Sequence, residues 1–467
     1  MKKILSAFCV LLVVACVITS LSTFSADTDF VIEDGVLLSY TGTQTDVVIP
    51  SSVKVISDSA FEGNTKIKSV KFHSDLYSIG HRAFYGCTSL SDVYSHDSVE
   101  HVGALAFAKT KFIAKEDEFV TVGSALVRCN STSADVVLPD DIESVSAYAF
   151  LRNDKIKSFT AGDNLKSIDE GAFYECKSLS DVSVQDSVYF VGADAFYATP
   201  WLLSQGDFVV IGNGVLAAYN GIDTVVEIPE NIRFIAPNAF YQNTSITQVK
   251  IPSTVYAVGE RAFMGCTALS DIKLSNGLVM IDDEAFAKCK SLTSIKTPAS
   301  LSKIGIGTFV ECTGLEIVYL QGDSLCVDYG AFAYCTSLKS ALLSSKTNAV
   351  SNDVFAYCDS LRAVTAPSEI IMISPDTFAG SKNVTVVCDE NSFAHSSLSG
   401  SISTTDKRGD VKTDGEIDVM DATSIQRYIA SMETFSAEQI AYADADFDVA
   451  VSIMDATYVQ RFIAKLL

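Results

Sequence analysis

Apolar residues recur along this chain at a short, fixed spacing. In CTALSDIKLSNGLVMIDDEAF (Cys266 to Phe286), Leu269, Ile272 and Leu274 have the L-x-x-L-x-L spacing of a short strand with an apolar inner face. Ile281, Ala285 and Phe286 then fill the same core from the returning side. The unit repeats. Phe61, Phe84, Phe107, Phe150, Phe173, Phe196, Phe240, Phe263, Phe286, Phe309, Phe332, Phe355 and Phe378 mark it, and nearly all gaps are 23 residues. One such coil cannot bury its own apolar face, so it is stable only when stacked on neighbours. The pattern predicts an α/β-type repeat solenoid, with a strand and a short returning segment in each coil.

Two gaps, of 43 and 44 residues, break the period. The stretches DFVIEDGVLLSY, EFVTVGSALVRC and DFVVIGNGVLAAY begin at Asp29, Glu118 and Asp207, so Phe30, Phe119 and Phe208 stand 89 residues apart, twice. Each has two β-rich runs about a turn, which predicts an inserted or capping hairpin. The array thus reads as three duplicated modules, the third extended by further coils.

These residues carry a resemblance. IPSTVYAVGERAFMGCTAL (Ile251 to Leu269) shows the pattern IP…V…IG…AF…C.SL, and it is similar to the bacterial surface-antigen, or BspA-like, class of leucine-rich repeats. The resemblance covers roughly residues 29–394 and implies a leucine-rich solenoid.

The ends read differently. MKKILSAFCVLLVVACVITSLSTFSA has two lysines, an apolar run and small residues near Ser25 and Ala26, so residues 1–26 read as a secretory signal peptide. Lipid attachment at Cys16 is the alternative. No other segment is long and apolar enough to span a bilayer. Residues 27–394 form the repeat array. AHSSLSGSISTTDKR is rich in Ser and Thr without periodicity, so residues 395–408 read as a flexible linker. A separate module follows at 409–467.

Composition sharpens this. A formal net charge of −23 argues against nucleic acid and anionic membranes as partners. Seven cysteines (Cys87, Cys176, Cys266, Cys289, Cys312, Cys335, Cys358) share one place in the repeat, three after the Phe, where Asn64, Asn153 and Asn243 stand in other coils. Asn and Cys can both hydrogen-bond backbone inside a coil, so the set reads as an internal ladder rather than a disulfide framework. Adjacent ladder thiols still leave disulfides open. No CxxC or Cys/His cluster points to metal or redox chemistry. HExxH, GxSxG, P-loop and dinucleotide motifs are absent, and every stretch between signal and tail belongs to a coil or hairpin. Outward strand positions (Tyr94, Ser183, Lys273, Lys296, Tyr319, Thr365) make a mixed polar surface suited to a protein or glycan.

The tail carries the most specific chemistry. DVKTDGEIDVMDATSIQRYIA starts at Asp410 and DADFDVAVSIMDATYVQRFIA at Asp444, each an acidic twelve-residue loop followed by a helix. A hard cation such as Ca²⁺ takes six to eight oxygens, which alternating loop positions converge to supply. The first loop offers Asp410, Asp414, the Glu416 carbonyl, Asp418 and Asp421. The second offers Asp444, Asp446, Asp448, the Ala450 carbonyl, Ser452 and Asp455. Ile417 and Val451 are placed to pair between the loops. Lys412 stands at position 3 of the first loop, where an oxygen ligand is needed. Val449 stands at position 6 of the second, where the backbone needs positive φ and a β-branched residue is strained. Ca²⁺ is therefore expected in the second loop, with some distortion, ahead of the first, which either binds it weakly or has its four carboxylates partly neutralised by Lys412 in place of the ion.

The doubled MDAT…QR(Y/F)IA resembles a type I dockerin over residues 409–467, a small all-α calcium-loop module. The resemblance implies docking onto a cohesin domain of a cellulosome-type scaffold. It assigns cohesin contact to Val419, Met420, Gln426 and Arg427 and, equivalently, to Ile453, Met454, Gln460 and Arg461. The near-identity of the two sets implies binding in two orientations. Together these readings describe a secreted, non-catalytic binding or adhesion protein. The alternatives are a cellulosome-associated hydrolase of polysaccharide or peptide and, third, a cell-surface adhesin.

Overall fold

The computed structural model describes residues 29–465 of the chain; the proposed signal peptide lies outside them. Two compact units are present. One comprises residues up to Thr132 with Asp141–Phe150, and the other comprises Ser133–Asp140 with Leu151 onward.

In the first unit each coil gives one strand to each of two parallel sheets. Asp46–Val48, Ser69–Lys71 and Asp92–Tyr94 stack with Asp46 opposite Ser69 and Ser69 opposite Asp92, which is the expected 23-residue register. The returning segment, expected only as a short connection, builds the other sheet from Val55–Ile56, Ser78–Ile79 and His101–Val102. The antiparallel hairpin Phe30–Glu33/Val36–Tyr40 begins that sheet, with Phe30 opposite Tyr40 and Val36 paired onto Val55.

The second unit repeats this plan. Its hairpin, Phe208–Ile211/Val215–Tyr219, feeds a ladder running through Phe234–Ile235, Ala257–Val258, Met280–Ile281, Lys303–Ile304, Leu325–Val327 and Thr347–Val350. A second ladder runs from Ser294–Lys296 through Ile317–Leu320, Ser340–Leu343, Ala363–Thr365 and Thr385–Val387 to Ser403–Thr405.

The marker phenylalanines lie ring on ring down the core. Phe240, Phe263, Phe286, Phe309 and Phe332 stack at centroid distances of 4.5, 5.1, 5.3 and 5.0 Å, within 11° of parallel. At the start of the array and at the 44-residue gap a hairpin tyrosine extends the ring column: Tyr40 lies 5.0 Å from Phe61, and Tyr219 lies 5.0 Å from Phe240.

Beside the rings runs the thiol ladder. Cys87, Cys266, Cys289, Cys312, Cys335 and Cys358 each donate from Sγ to the carbonyl of the Phe 26 residues earlier, at 3.1–3.3 Å. At the end of the stack Ser381 makes the same bond to Phe355 at 2.6 Å. Asn64 and Asn243 work with the opposite polarity, each accepting on Oδ1 from backbone N–H groups two and three residues ahead. The ten cysteines from Cys87 to Cys388 carry no disulfide among the described residues. Burial pushes the Cys266, Cys312 and Cys358 thiols up to about 12, so they are poor nucleophiles.

The linker expectation is corrected. Ser392 caps a helix, Phe393–Leu398, whose Ala394 and Leu398 are fully buried against the solenoid core. Ser403–Thr405 then pairs in parallel with Thr385–Val387 as the last strand. A four-residue Ala394–Leu398 spacing gives one apolar helical face, and that outweighs the polar composition.

Phe286→Ala removes a ring stacked on both sides and leaves a cavity. It should cost about 3–5 kcal/mol in urea denaturation, whereas Tyr94→Ala, on an exposed outward side chain, should stay within about 0.5 kcal/mol.

Candidate functional site

The C-terminal module contains three helices, Val419–Ile429, Ala437–Ala443 and Ile453–Ile463. The two loop helices pack together around Val411, Ala422, Ile425, Ala443, Ala445, Ala456 and Val459. Ile417 and Val451 pack against this core from the loops. Both helices start with a reciprocal cap. Asp418 Oδ1 accepts from Met420 N at 2.7 Å while Asp421 accepts from Asp418 N, and Ser452 with Asp455 repeats the arrangement. The position-12 aspartates are therefore fixed by the fold itself.

In the second loop, Asp444, Asp446 and Asp455 bring carboxylate oxygens within 4.8 Å of one another. Among the described residues this is the one group of three or more such side chains able to share an ion. Asp444 accepts from Val449 N at 3.2 Å, and Asp455 accepts from Ala445 N at 2.8 Å. Asp448 is exposed and turned to Ala450 N, and Ser452 is occupied as a cap. Val449 adopts φ 69°, the left-handed conformation that its position demands. A non-glycine residue there costs about 1–3 kcal/mol, yet Val449 is only 1% exposed, and full burial of a valine contributes roughly 1.5–3 kcal/mol in return.

In the first loop, Asp410 and Asp421 are buried. Asp410 accepts from Asp414 N and Gly415 N, and Asp421 accepts from Lys412 N at 3.2 Å. Gly415 takes positive φ at position 6. Asp414, Glu416 and Asp418 are exposed. The Lys412 side chain is also exposed, with no ion pair to a loop carboxylate among the described residues. The lysine that enters this loop is Lys407, whose ammonium donates to the Gly415 carbonyl at 2.8 Å.

Val419, Met420, Ile453 and Met454 are 53–64% exposed at the starts of the two loop helices. Gln426, Arg427, Gln460 and Arg461 are exposed about two turns along. The two halves of the module thus present nearly the same four residue types twice.

Features absent from the sequence reading also support the site. Ser436 and Gln439 form a capping box that starts the middle helix, a signal visible in the spacing SAEQ. Tyr428 stacks on Phe435 at 4.5 Å. Arg408 lies over Phe447 and Tyr458 and pairs with Asp406 at 2.8 Å.

A stacked-coil solenoid ending in a paired acidic-loop module is thereby defined, and comparison with known proteins gives its family. The model for the BspA type leucine rich repeat region matches in six copies over residues 36–117, 116–206, 210–339 and 257–385, and that for the dockerin type I domain matches residues 408–464. The chain belongs to the BspA-type leucine-rich repeat family and carries a C-terminal dockerin type I domain, a class that binds Ca²⁺ and docks onto cohesins. No curated protein matches. Among solved structures, a T. pallidum leucine-rich repeat protein is 30% identical, covering 36% of this chain and 82% of its own, with a TM-score of 0.32. A leucine-rich repeat protein from Eubacterium ventriosum is 18% identical, covering 75% and 91%, with a TM-score of 0.37. Pneumococcal vaccine antigen PcpA is 17% identical, covering 83% and 99%, with a TM-score of 0.37.

Without a cation the acidic triad repels itself. Burial first, and then the neighbouring carboxylates, push Asp444 up to about 8; burial pushes Asp455 up to about 6. An acid whose pKa is higher folded than unfolded holds extra protons in the folded state. Stability of the metal-free module should therefore fall as pH rises from about 4 through about 8, seen as a falling melting temperature in EGTA. Cation binding must displace those protons. Apparent Ca²⁺ affinity of the triad should rise about tenfold per pH unit between about 6 and 8, measured by calorimetry.

Proposed function

We propose that this is a secreted, non-catalytic binding protein that Ca²⁺ in the second acidic loop prepares for docking onto a cohesin of a cellulosome-type scaffold. The solenoid would then present a protein- or glycan-recognition surface beside the scaffold. One observation carries the reading. Two equivalent sets of exposed residues, Val419, Met420, Gln426 and Arg427 and Ile453, Met454, Gln460 and Arg461, sit at the two loop helices, with apolar side chains turned to solvent. A monomer gains nothing from showing four large apolar side chains in duplicate, whereas a partner that buries either set does. The second loop is preferred for Ca²⁺ because its three carboxylates already converge, while the first has Lys412 in a ligand position. The residues 1–26 signal supports export. Exposed Tyr94, Ser183, Lys273 and Lys296 line outward strand faces and provide polar and aromatic contact chemistry for a ligand.

The test is a pull-down of the full chain on a panel of cohesins. Binding should be lost in EDTA and restored by Ca²⁺. Met420→Asp or Met454→Asp alone should weaken binding less than about tenfold, because the other set remains, and the double variant should abolish it. Binding that is indifferent to EDTA would sink the reading, and robust turnover of a polysaccharide or peptide by the full chain would replace it with the hydrolase alternative.

A further inference from the structure

The outward face of the second unit's six-stranded ladder, which begins at Ser294–Lys296, changes character along its length. Its first outward lysine, Lys296, is exposed, as are Lys250 and Lys273, which pair in register in the three-stranded ladder preceding it. Lys296 is followed in register by Tyr319 and then Leu342, while Thr365 is followed by Val387. Leu342, Thr365 and Val387 are fully buried, as are Ser340 and Ala363 on the same outward face. The inward core belongs to their neighbours Ala341, Leu343, Val364 and Val386. An exposed outward column thus becomes a covered one within one continuous sheet.

The cover is the chain's own C-terminal module. Its middle helix, Ala437–Ala443, packs on Ser340–Leu343 and Ala363–Thr365. Three solenoid donors reach three module carbonyls. Ser340 Oγ donates to Ala437 O at 2.6 Å, Ser345 N donates to Phe447 O at 3.0 Å, and Gln321 Nε2 donates to Asp448 O at 3.3 Å. Two of those carbonyls belong to the second acidic loop, between the carboxylates of Asp446 and Asp455. The same stretch hides Phe447 and Val449, at 5% and 1% exposure. Val419, Met420, Ile453 and Met454 stay in solvent.

We infer that the outward face of residues 340–343 and 363–365 is a dedicated seat for the C-terminal module, and that seating and Ca²⁺ in the second loop reinforce each other. This rests on the calcium-loop reading above. The physical link is order. Ca²⁺ gathers Asp444, Asp446 and Asp455, which fixes the backbone between them, and that backbone offers the carbonyls that Ser345 and Gln321 hold. The seat in turn pre-orders a loop that would otherwise lose its freedom on meeting the ion. Linkage makes the effect reciprocal, so whatever calcium adds to seating, seating adds to calcium affinity. The consequence is mechanical: a cohesin bound at either free face holds the solenoid in a fixed orientation, one for each face, rather than on a tether.

Hydrogen exchange on the unmodified full chain, with Ca²⁺ or with EGTA, tests this without a mutation. The Ser345 amide, a solenoid group, should exchange at least about tenfold more slowly with Ca²⁺, together with the Ala445 and Asp446 amides of the loop. If the loop amides slow and Ser345 does not, the coupling is overturned while the calcium loop stands. If none of them responds, the loop does not take Ca²⁺ and both readings fail. As a second arm, Leu342→Glu should weaken Ca²⁺ binding about tenfold by calorimetry, while Leu203→Glu, at a 77% exposed leucine, should leave it unchanged. Equal affinity in the two variants would also overturn the coupling.

Discussion

The whole molecule depends on one residue meeting its own counterpart in the next coil. Along each run of coils a marker Phe places its ring on the next ring, and Phe61, Phe240, Phe263, Phe286, Phe309 and Phe332 also set their carbonyls against the next coil's thiol, so one residue serves both the apolar and the polar account of the turn. Each of these carbonyls also accepts the backbone N–H three residues ahead, and the thiol serves its second lone pair without adding charge or bulk. The 23-residue length follows from this. An inserted residue would carry every inward side chain to the wrong face, and the ring and thiol ladders would fail together. The 44-residue gap obeys the same constraint, because its hairpin sets Tyr219 against Phe240, as the first hairpin sets Tyr40 against Phe61.

Because the inward residues secure the stack, the outward ones are free to carry function. Lys273 and Tyr94 add little to stability, and the same register that exposes them in one coil offers Leu342 in another. A solenoid can thus change the chemistry of its surface coil by coil without altering its core. Here that freedom yields an open polar stretch and an apolar stretch covered by the chain's own terminal module. The helix at Phe393–Leu398 and the strand at Ser403–Thr405 lead directly from one to the other, which leaves few unstructured residues before Gly409.

Much of this was legible in the sequence because it repeats. The Phe period, the hairpin starts at Phe30, Phe119 and Phe208, and the doubled MDAT segment are each announced several times. What occurs once was missed. Residues 395–408 look like a linker by composition, and only the Ala394–Leu398 spacing betrays a helix. The outward column reads as mixed when sampled at Lys273, Lys296, Tyr319 and Thr365. Leu342 and Val387, which make it apolar, draw attention only once the strand registers identify their direction. The middle helix, Ala437–Ala443, lies between the duplicated segments, so no repeat announces it. The ladder itself was correctly seen, but its chemistry is divided: Asn accepts within its own coil, while Cys donates to the previous one.

The two acidic loops depart from a common pattern in ways that burial makes unequal. Lys412 costs the first loop a ligand but little stability, since its ammonium sits in solvent and only its backbone N–H is used, by Asp421. Val449 keeps the ligands of the second loop and stores strain instead. A glycine would relax that strain but would have nothing to bury. A valine at φ 69° offsets its conformational cost only where water is excluded from it, and at 1% exposure it is. The carbonyls of Phe447 and Asp448, the two residues before Val449, face solenoid donors, so the strained residue lies in the stretch of loop nearest the seat. The buried valine at the hinge and the intramolecular contact therefore occupy the same stretch of chain, and the loop that looks damaged in sequence is the one held by the solenoid.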